Sequence, residues 1–529
     1  MNIKRILLTA LLPIGLSFTT NAQSISPSTK WHWDKGQIII DTPSRPAGQE
    51  NVLGLVTPKL PTVRVAFVGL GMRGPGAVNC FVKIPGVQIM AFCDYEEERA
   101  EACQGVLRNA GLAPADIYFG DKGYEELCQR PDIDLVYVAT DWEHHFPVAK
   151  CALENGKHTA VEVPSCLNLE QCWELINLSE KNRKHCMILE NCCYDFFEMN
   201  ALRMAQEGVF GEVLRAEGAY IHNLTPFWDA YWKNPNGTDP DGLGWRLKYN
   251  KENRGDVYAT HGLGPVAQAL NIHRGDRFTT LVAMDTKSVV GKELVEKRTG
   301  KTCDEFVNGD HTTTLMRTEL GKVVEMQHNV MTYQPYSRLY KLTGTKGYCT
   351  KYPDEHFALD GESLTATGIP VVDELNTHGF MSEEQQEKLV EKYYDPILKK
   401  YGDLGRELGH GGMDFIMMCR LVYCLQNGLP LDMDVYDLAE WCCLAELGAI
   451  SMNNNSASVA FPDFTRGAWN LQNGYRHAFA DPAEEAAAEE AAKASTEAQK
   501  ALVVKKKLWE KYDKAKNKAR AAKNKKSKK

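Results

Sequence analysis

The chain has 529 residues, of which 43% are hydrophobic and 25% charged, and its formal net charge is −8. These values exclude a disordered chain, leave room for two domains with appendages, and give no basis for a nucleic-acid partner. The charge is uneven, because residues 481–529 carry 15 Lys and Arg against 8 Asp and Glu.

Lys4 and Arg5, the apolar run Ile6–Phe18 and the small-residue site Thr20-Asn21-Ala22 read as a cleavable signal over residues 1–22. Export to the periplasm or the medium is the expectation. No later segment reads as a membrane span. Residues 23–61 are polar and Pro-rich, and read as an extended lead-in.

From residue 62 to 190 short apolar runs alternate with helical segments. The runs are Val63–Leu70, Val87–Asp94, Leu135–Thr140, His158–Val163 and His185–Asn191, separated by segments such as Glu96–Asn109 and Leu167–Asn182. Such alternation predicts βαβ units, a parallel sheet and an α/β Rossmann domain. Between residues 191 and 475 the runs Val213–His222, Thr280–Ser288, Thr312–Leu320, Val323–Met331 and Arg338–Thr345 predict a second α/β domain. Its sheet is expected to be large and mainly antiparallel, closed by helices near Phe415–Asn427 and Tyr436–Met452. Residues 476–529, rich in Ala, Glu and Lys, predict an exposed helical tail dispensable for chemistry. The 16 cysteines are scattered through apolar segments and lack metal spacing, so neither disulfides nor a metal site is expected.

Gly69-Leu70-Gly71-Met72-Arg73-Gly74 matches GxGxxG after a strand and before a helix. Gly69 permits the turn, Gly71 the approach of pyrophosphate, and Gly74 the close packing of helix on sheet. Asp94, twenty residues beyond Gly74, is placed to accept ribose hydroxyls, which favours NAD over NADP. Two further strand ends face the same side: Thr140-Asp141-Trp142-Glu143-His144-His145 and Glu162-Val163-Pro164.

These motifs resemble the glucose–fructose oxidoreductase and inositol dehydrogenase superfamily over roughly residues 60–475. The dehydrogenases usually carry Glu-Lys-Pro where this chain has Glu162-Val163-Pro164, and valine cannot relay a proton. Glu190-Asn191-Cys192-Cys193-Tyr194, Tyr258-Ala259-Thr260-His261-Gly262, Pro335-Tyr336-Ser337-Arg338 and Gly409-His410-Gly411-Gly412 resemble glycoside hydrolase family 109. That family is typified by α-N-acetylgalactosaminidase. The resemblance implies NAD contacts at Met72, Arg73, Asp94, Trp142, Glu143, His144, His145, Glu162, Val163, Asn191 and Tyr258. It implies sugar contacts at Tyr220, Arg246, Tyr258, Ala259, Thr260, His261 and either Tyr336 or Tyr340. The segment between Tyr220 and Arg246, with Trp228 and Trp232, is longer than the family leads one to expect.

The expected chemistry is transient oxidation of a sugar at C3, loss of the C1 substituent, water addition and re-reduction. His261, Tyr258, His410 and Tyr194 are the candidate working groups. Each has a bland alternative: His261 a structural histidine, His410 a helix cap, Tyr194 a core aromatic, Arg246 a surface cation. No carboxylate pair of the kind used by ordinary glycosidases is evident. A sugar oxidoreductase with net hydride transfer and a non-catalytic sugar-binding protein are the competing readings. The expected partner is a sugar or glycan, and a homo-oligomer is left open.

Overall fold

A computed structural model of the chain describes residues 29–230, 242–370 and 379–526. The signal at 1–22 and the rim positions from Tyr231 to Asp241, Trp232 among them, lie outside the described residues.

The described chain opens with a hairpin, β1 (Trp31–Asp34) and β2 (Gln37–Ile40). The extended lead-in therefore needs correction. Ile38 and Ile40 are buried, and β2 runs parallel to β16 (Val459–Ala460) at the far end of the chain. A four-residue pattern with two inward isoleucines is too short to show a period in sequence.

Six strands follow: β3 (Val63–Val68), β4 (Val87–Asp94), β5 (Asp116–Phe119), β6 (Leu135–Val138), β7 (His158–Val161) and β8 (Cys186–Ile188). All pair in parallel in the order β5-β4-β3-β6-β7-β8. Every residue of β6, β7 and β8 is buried, as strands covered on both faces require, which is why the sequence shows unbroken apolar runs there. The exception is β5, whose residues are half-buried or exposed and which the sequence does not reveal. The strand order reverses between β3 and β6, and ligands of open α/β sheets bind outside the carboxyl ends at such a point.

The second sheet adds β9 (Val213–Ile221), β10 (Phe278–Asp285), β11 (Thr312–Thr318), β12 (Val323–Asn329), β13 (Lys341–Gly344), β14 (Gly347–Thr350) and β15 (His356–Leu359) to the hairpin and β16. Its ten strands run β1-β2-β16-β10-β11-β12-β9-β13-β14-β15. Pairing is mostly antiparallel, but β12 and β9 run parallel, as do β16 and β2. Alternating burial along β11 shows one face covered by helices and the other open.

The tail is helical and largely exposed, as its composition predicts, but it is docked rather than free. Helices Pro482–Lys506 and Leu508–Lys526 lie against the Rossmann domain. Thr496 Oγ1 accepts from the Gly86 amide, Trp509 Nε1 donates to the Leu112 carbonyl, and Arg108 sits 4.4 Å above the Trp509 ring. At its start Glu485 takes hydrogen bonds from both Lys400 and Tyr423. Ala492 and Val503 are buried and Trp509 packs on the core, but the contacts are mostly polar and come from scattered positions, so no apolar stripe announces them. All 16 cysteines are free, and all but Cys151 are buried. Among the described residues no helix is long and apolar enough to cross a membrane.

Candidate active site

The fingerprint turn follows β3. Gly69 has φ +92°, and a Cβ there would lie 2.4 Å from the Ala139 carbonyl group, so only glycine lets β3 and β6 close together. A Cβ at Gly71 would meet nothing nearer than Arg99 Nη1 at 3.8 Å. This exposed, uncrowded backbone ahead of the helix Gly74–Phe81 fits a dinucleotide pyrophosphate. Asp94 ends β4 with Oδ2 accepting from the Leu70 amide at 2.6 Å and Oδ1 from the Glu96 amide at 3.0 Å. The carboxylate is thus held beside the turn, where a ribose would lie.

A cleft of about 250 Å³ opens from this turn to the second sheet. Met72, Arg73, Trp142, His145, Glu162, Val163 and Asn191 line it from the Rossmann side, and Tyr220, Arg246, Tyr258, His261 and His410 from the other. His222, Leu224 and Phe227 also line its wall, and no motif in the sequence marks them.

The helix Thr260–Ala269 seats His261. A Cβ on Gly262 would lie 2.3 Å from the Ala219 amide nitrogen, so the helix packs on β9 only because that residue is glycine. The contact brings the His261 ring to 4.6 Å from Tyr220 and stacks it at 14° on Tyr258. His261 Nδ1 lies 2.8 Å from Glu190 Oε1, a wholly buried carboxylate. Burial would raise the Glu190 carboxyl, but the facing imidazole overrides it and holds it below its ordinary range. A buried carboxylate at Nδ1 selects the Nδ1–H tautomer and leaves Nε2 as the basic nitrogen. Glu190 is a working residue the sequence reading quoted but did not single out. With Cys192 it also forms the one group of three potential metal ligands among the described residues, though the hydrogen bond already engages two of the three.

Tyr258 accepts a hydrogen bond from Arg246 Nε at 3.1 Å, and the guanidinium rests 4.1 Å above Trp245. Trp142 meets Tyr258 edge-on at 5.1 Å, joining the two sides of the cleft. Tyr220 is bound to His222 Nδ1 at 2.9 Å. Arg73 grips Asp414 through both amino groups, at 2.9 and 3.1 Å, and reaches Glu162 at 3.4 Å, which also accepts from the Tyr137 hydroxyl. His410 stands on a loop with φ +51°, flanked by Gly409, Gly411 and Gly412, all left-handed. Its Nδ1 lies 3.0 Å from Asp414 Oδ2.

Not every expected residue reaches the cleft. Tyr194 is fully buried and donates to Asp432 Oδ2 at 2.9 Å, where Arg420 binds the same carboxylate. Burial pushes its phenol well up, and it serves the core rather than the site. Glu143 points to solvent, and His144 turns back onto Asp141, the cap of its own helix. His145 does line the cleft, but both its ring nitrogens are taken up by the Pro164 and Thr140 carbonyls. Ala259 and Thr260 are buried in the first turn below His261. Of the two tyrosines left open, Tyr336 stands half-exposed 6.3 Å from Tyr220, whereas Tyr340 is core, edge-on to Phe197.

Residues 63–190 match a family model described as an oxidoreductase family with an NAD-binding Rossmann fold. Residues 194–471 match the C-terminal domain of glycosyl hydrolase 109. Among curated relatives, "Glycosyl hydrolase family 109 protein 5" of Phocaeicola vulgatus is 71% identical over 90% of this chain and 92% of its own length. "Glycosyl hydrolase family 109 protein 1" of Bacteroides thetaiotaomicron is 56% identical over 90% of this chain and all of its own. Among solved structures, a levoglucosan dehydrogenase in complex with NADH and levoglucosan shares the fold at TM-score 0.55 and 17% identity, covering 76% of this chain and 100% of its own. An NAD-binding oxidoreductase from Klebsiella pneumoniae does so at TM-score 0.56 and 16% identity, over 76% of this chain and 99% of its own. With a matched family model over more than half its length and full-length relatives above half identity, the chain belongs to glycosyl hydrolase family 109.

Proposed function

We propose that the protein removes a terminal sugar, of the α-N-acetylgalactosaminide type, by oxidation at C3 followed by elimination. The observation that carries the reading is His261. It stands on a buried carboxylate with Nε2 free, beside the carboxyl ends of the Rossmann strands. The one carboxylate lining the cleft among the described residues, Glu162, is engaged by Arg73 and Tyr137. A pair of carboxylates flanking the bond therefore has no support.

NAD, selected over NADP by Asp94, supplies hydride acceptance and return when bound. The chain's own groups do the proton work. A ketone at C3 acidifies the C2 hydrogen, and His261 Nε2 takes that proton while Glu190 stabilises the imidazolium. Arg246 holds the Tyr258 phenol beside it. His410, on the glycine loop that also lines the cleft, protonates the oxygen leaving C1, and water adds there in its place. Val163 leaves no lysine at the position where the dehydrogenases carry theirs. The apolar run and small-residue site at the N-terminus support export of the mature enzyme, which N-terminal sequencing of a periplasmic fraction tests.

The test is hydrolysis of nitrophenyl α-N-acetylgalactosaminide in D₂O. Deuterium at C2 of the released sugar is the expected result, because the hydrogen is lost to solvent and replaced. Hydrolysis without deuterium at C2 overturns the mechanism. Steady accumulation of NADH from free sugars would replace it with a net oxidoreductase.

A further inference from the structure

Four donors converge on one carboxylate between two loops. Asp414, in the first turn of the helix Met413–Asn427, is mostly buried. Its Oδ2 accepts from Arg73 Nη1 at 2.9 Å and lies 3.0 Å from His410 Nδ1. Its Oδ1 accepts from Arg73 Nη2 at 3.1 Å and from Asn191 Nδ2 at 2.6 Å. Arg73 belongs to the fingerprint, Asn191 follows β8, and His410 comes from the glycine loop, so one side chain gathers three separate parts of the cleft.

We propose that Asp414 is a positioning residue that fixes the tautomer and direction of His410, with Arg73 holding the carboxylate in place. The proposal rests on the reading that His410 acts in the cleft. His410 needs such a hold: its side chain is 53% exposed on a run of left-handed residues, with no side-chain partners among the described residues beyond Asp414 and Asn191. Asn191 Nδ2 is a donor and lies 3.3 Å from His410 Nδ1. The carboxylate is nearer and negative, so Nδ1 carries the hydrogen and Nε2 is left for the substrate. Burial would raise the Asp414 carboxyl, but the His410 hydrogen bond and the Arg73 charge hold it far below its ordinary range, so it is ionised whenever the enzyme works.

An asparagine at 414 cannot accept from all four donors. Its amide nitrogen in place of Oδ1 would face two fixed donors. In place of Oδ2 it would face Arg73 and His410, and only the imidazole can yield, by moving its hydrogen to Nε2. Asp414→Asn should therefore invert the His410 tautomer while keeping the shape of the side chain. Nitrogen NMR of histidine-labelled enzyme, with His410 assigned by its loss in His410→Gln, reads this without any activity. Inversion is expected, and an unchanged tautomer overturns the proposal. Kinetically, Asp414→Asn should lower kcat about 10²-fold with KM within about twofold, and Asp414→Asn/His410→Ala should be no slower than His410→Ala alone. Additive losses would mean that Asp414 acts apart from His410 and overturn the proposal. Full activity in His410→Ala would instead remove His410 from the proposed mechanism, with the tautomer measurement still deciding the role of Asp414. Should Asp414→Asn not fold, Asp414→Ala, which leaves only the Asn191 Nδ2 donor facing His410 Nδ1, gives the same two readings.

Discussion

The cleft holds two histidines on carboxylates, and the two are built in opposite ways. His261 is 12% exposed, lies on a helix pressed onto β9, and rests on Glu190, which is fully buried. His410 is 53% exposed, lies among three left-handed glycines, and rests on a carboxylate shared with the cofactor loop. One is fixed by packing and the other by hydrogen bonds. The difference suits the proposed division of labour, a fixed base for the C2 proton and an acid on a loop that can accommodate different leaving groups.

Five measurements sharpen or break this contrast. The largest effect is expected for His261→Ala, which should lower kcat about 10²–10⁴-fold while the protein keeps its NAD. A loss below tenfold would take the fixed base out of the mechanism. Next, Asp432→Asn tests the frame behind the hydrogen-bonded side, through Arg420 on the helix that carries Asp414. Arg420 holds the Asp432 carboxyl down at about 2 despite its burial. Its folded value lies below its unfolded one, so the pair's stabilisation is complete above about pH 4 and is lost as pH falls toward 2. Breaking the buried pair should cost about 3–5 kcal/mol at neutral pH and flatten the acid limb of stability, as read by urea melts.

The glycines separate the two sides directly. Gly262→Ala forces a Cβ against the Ala219 backbone and should cost about 1–3 kcal/mol in stability. Gly411→Ala meets nothing within 4 Å, and its cost is confined to φ +66°, about 1 kcal/mol, with kcat and KM moving together. Equal losses of stability in the two would erase the contrast. Truncation after Asp481 removes the brace that Glu485 gives Lys400 and Tyr423, which lie on the two helices flanking the His410 loop. It should lower Tm by a few degrees and kcat by less than tenfold. An unchanged Tm would show that the brace carries no stability, and an unchanged kcat would bear out the expectation that the tail is dispensable for chemistry. Asp94→Ala leaves both histidines untouched and should weaken NAD by about 1.5–3 kcal/mol in titration. Unaltered preference for NAD over NADP in that variant would remove Asp94 as the selector.

The cofactor half of this site was legible because its chemistry is local. A strand, six residues of fingerprint and an acid twenty residues on lie in one stretch, and β3 to β8 announce themselves as unbroken apolar runs. The other half depends on contacts between distant residues. Tyr194 sits in a motif beside true cleft residues, yet the short helical turn Asn191–Tyr194 sends Asn191 to the cleft and Tyr194 to Asp432. Asp414 and Glu190 were missed because a carboxylate that orients another side chain has no signature of its own. The spacing of His410 and Asp414, four apart, was the one local hint. The docking of the tail and that of the first hairpin share one reason for going unseen: each has partners more than 400 residues away, Ser458 for Gln37 and Gly86 for Thr496.

That last feature sets an order on synthesis. Ile38 hydrogen-bonds to the Ser458 carbonyl, and Arg45 and Arg466 share Glu180. A ribosome must finish nearly the whole chain before β2 meets β16, the strand that covers its outer side. Until then the side of β2 away from β1 is a bare sheet edge, with Ile38 and Ile40 beside it, of the kind that invites misassembly. Protease added to ribosomes stalled before residue 459 should cut within residues 29–45, and protection of that segment would show that it finds an earlier partner.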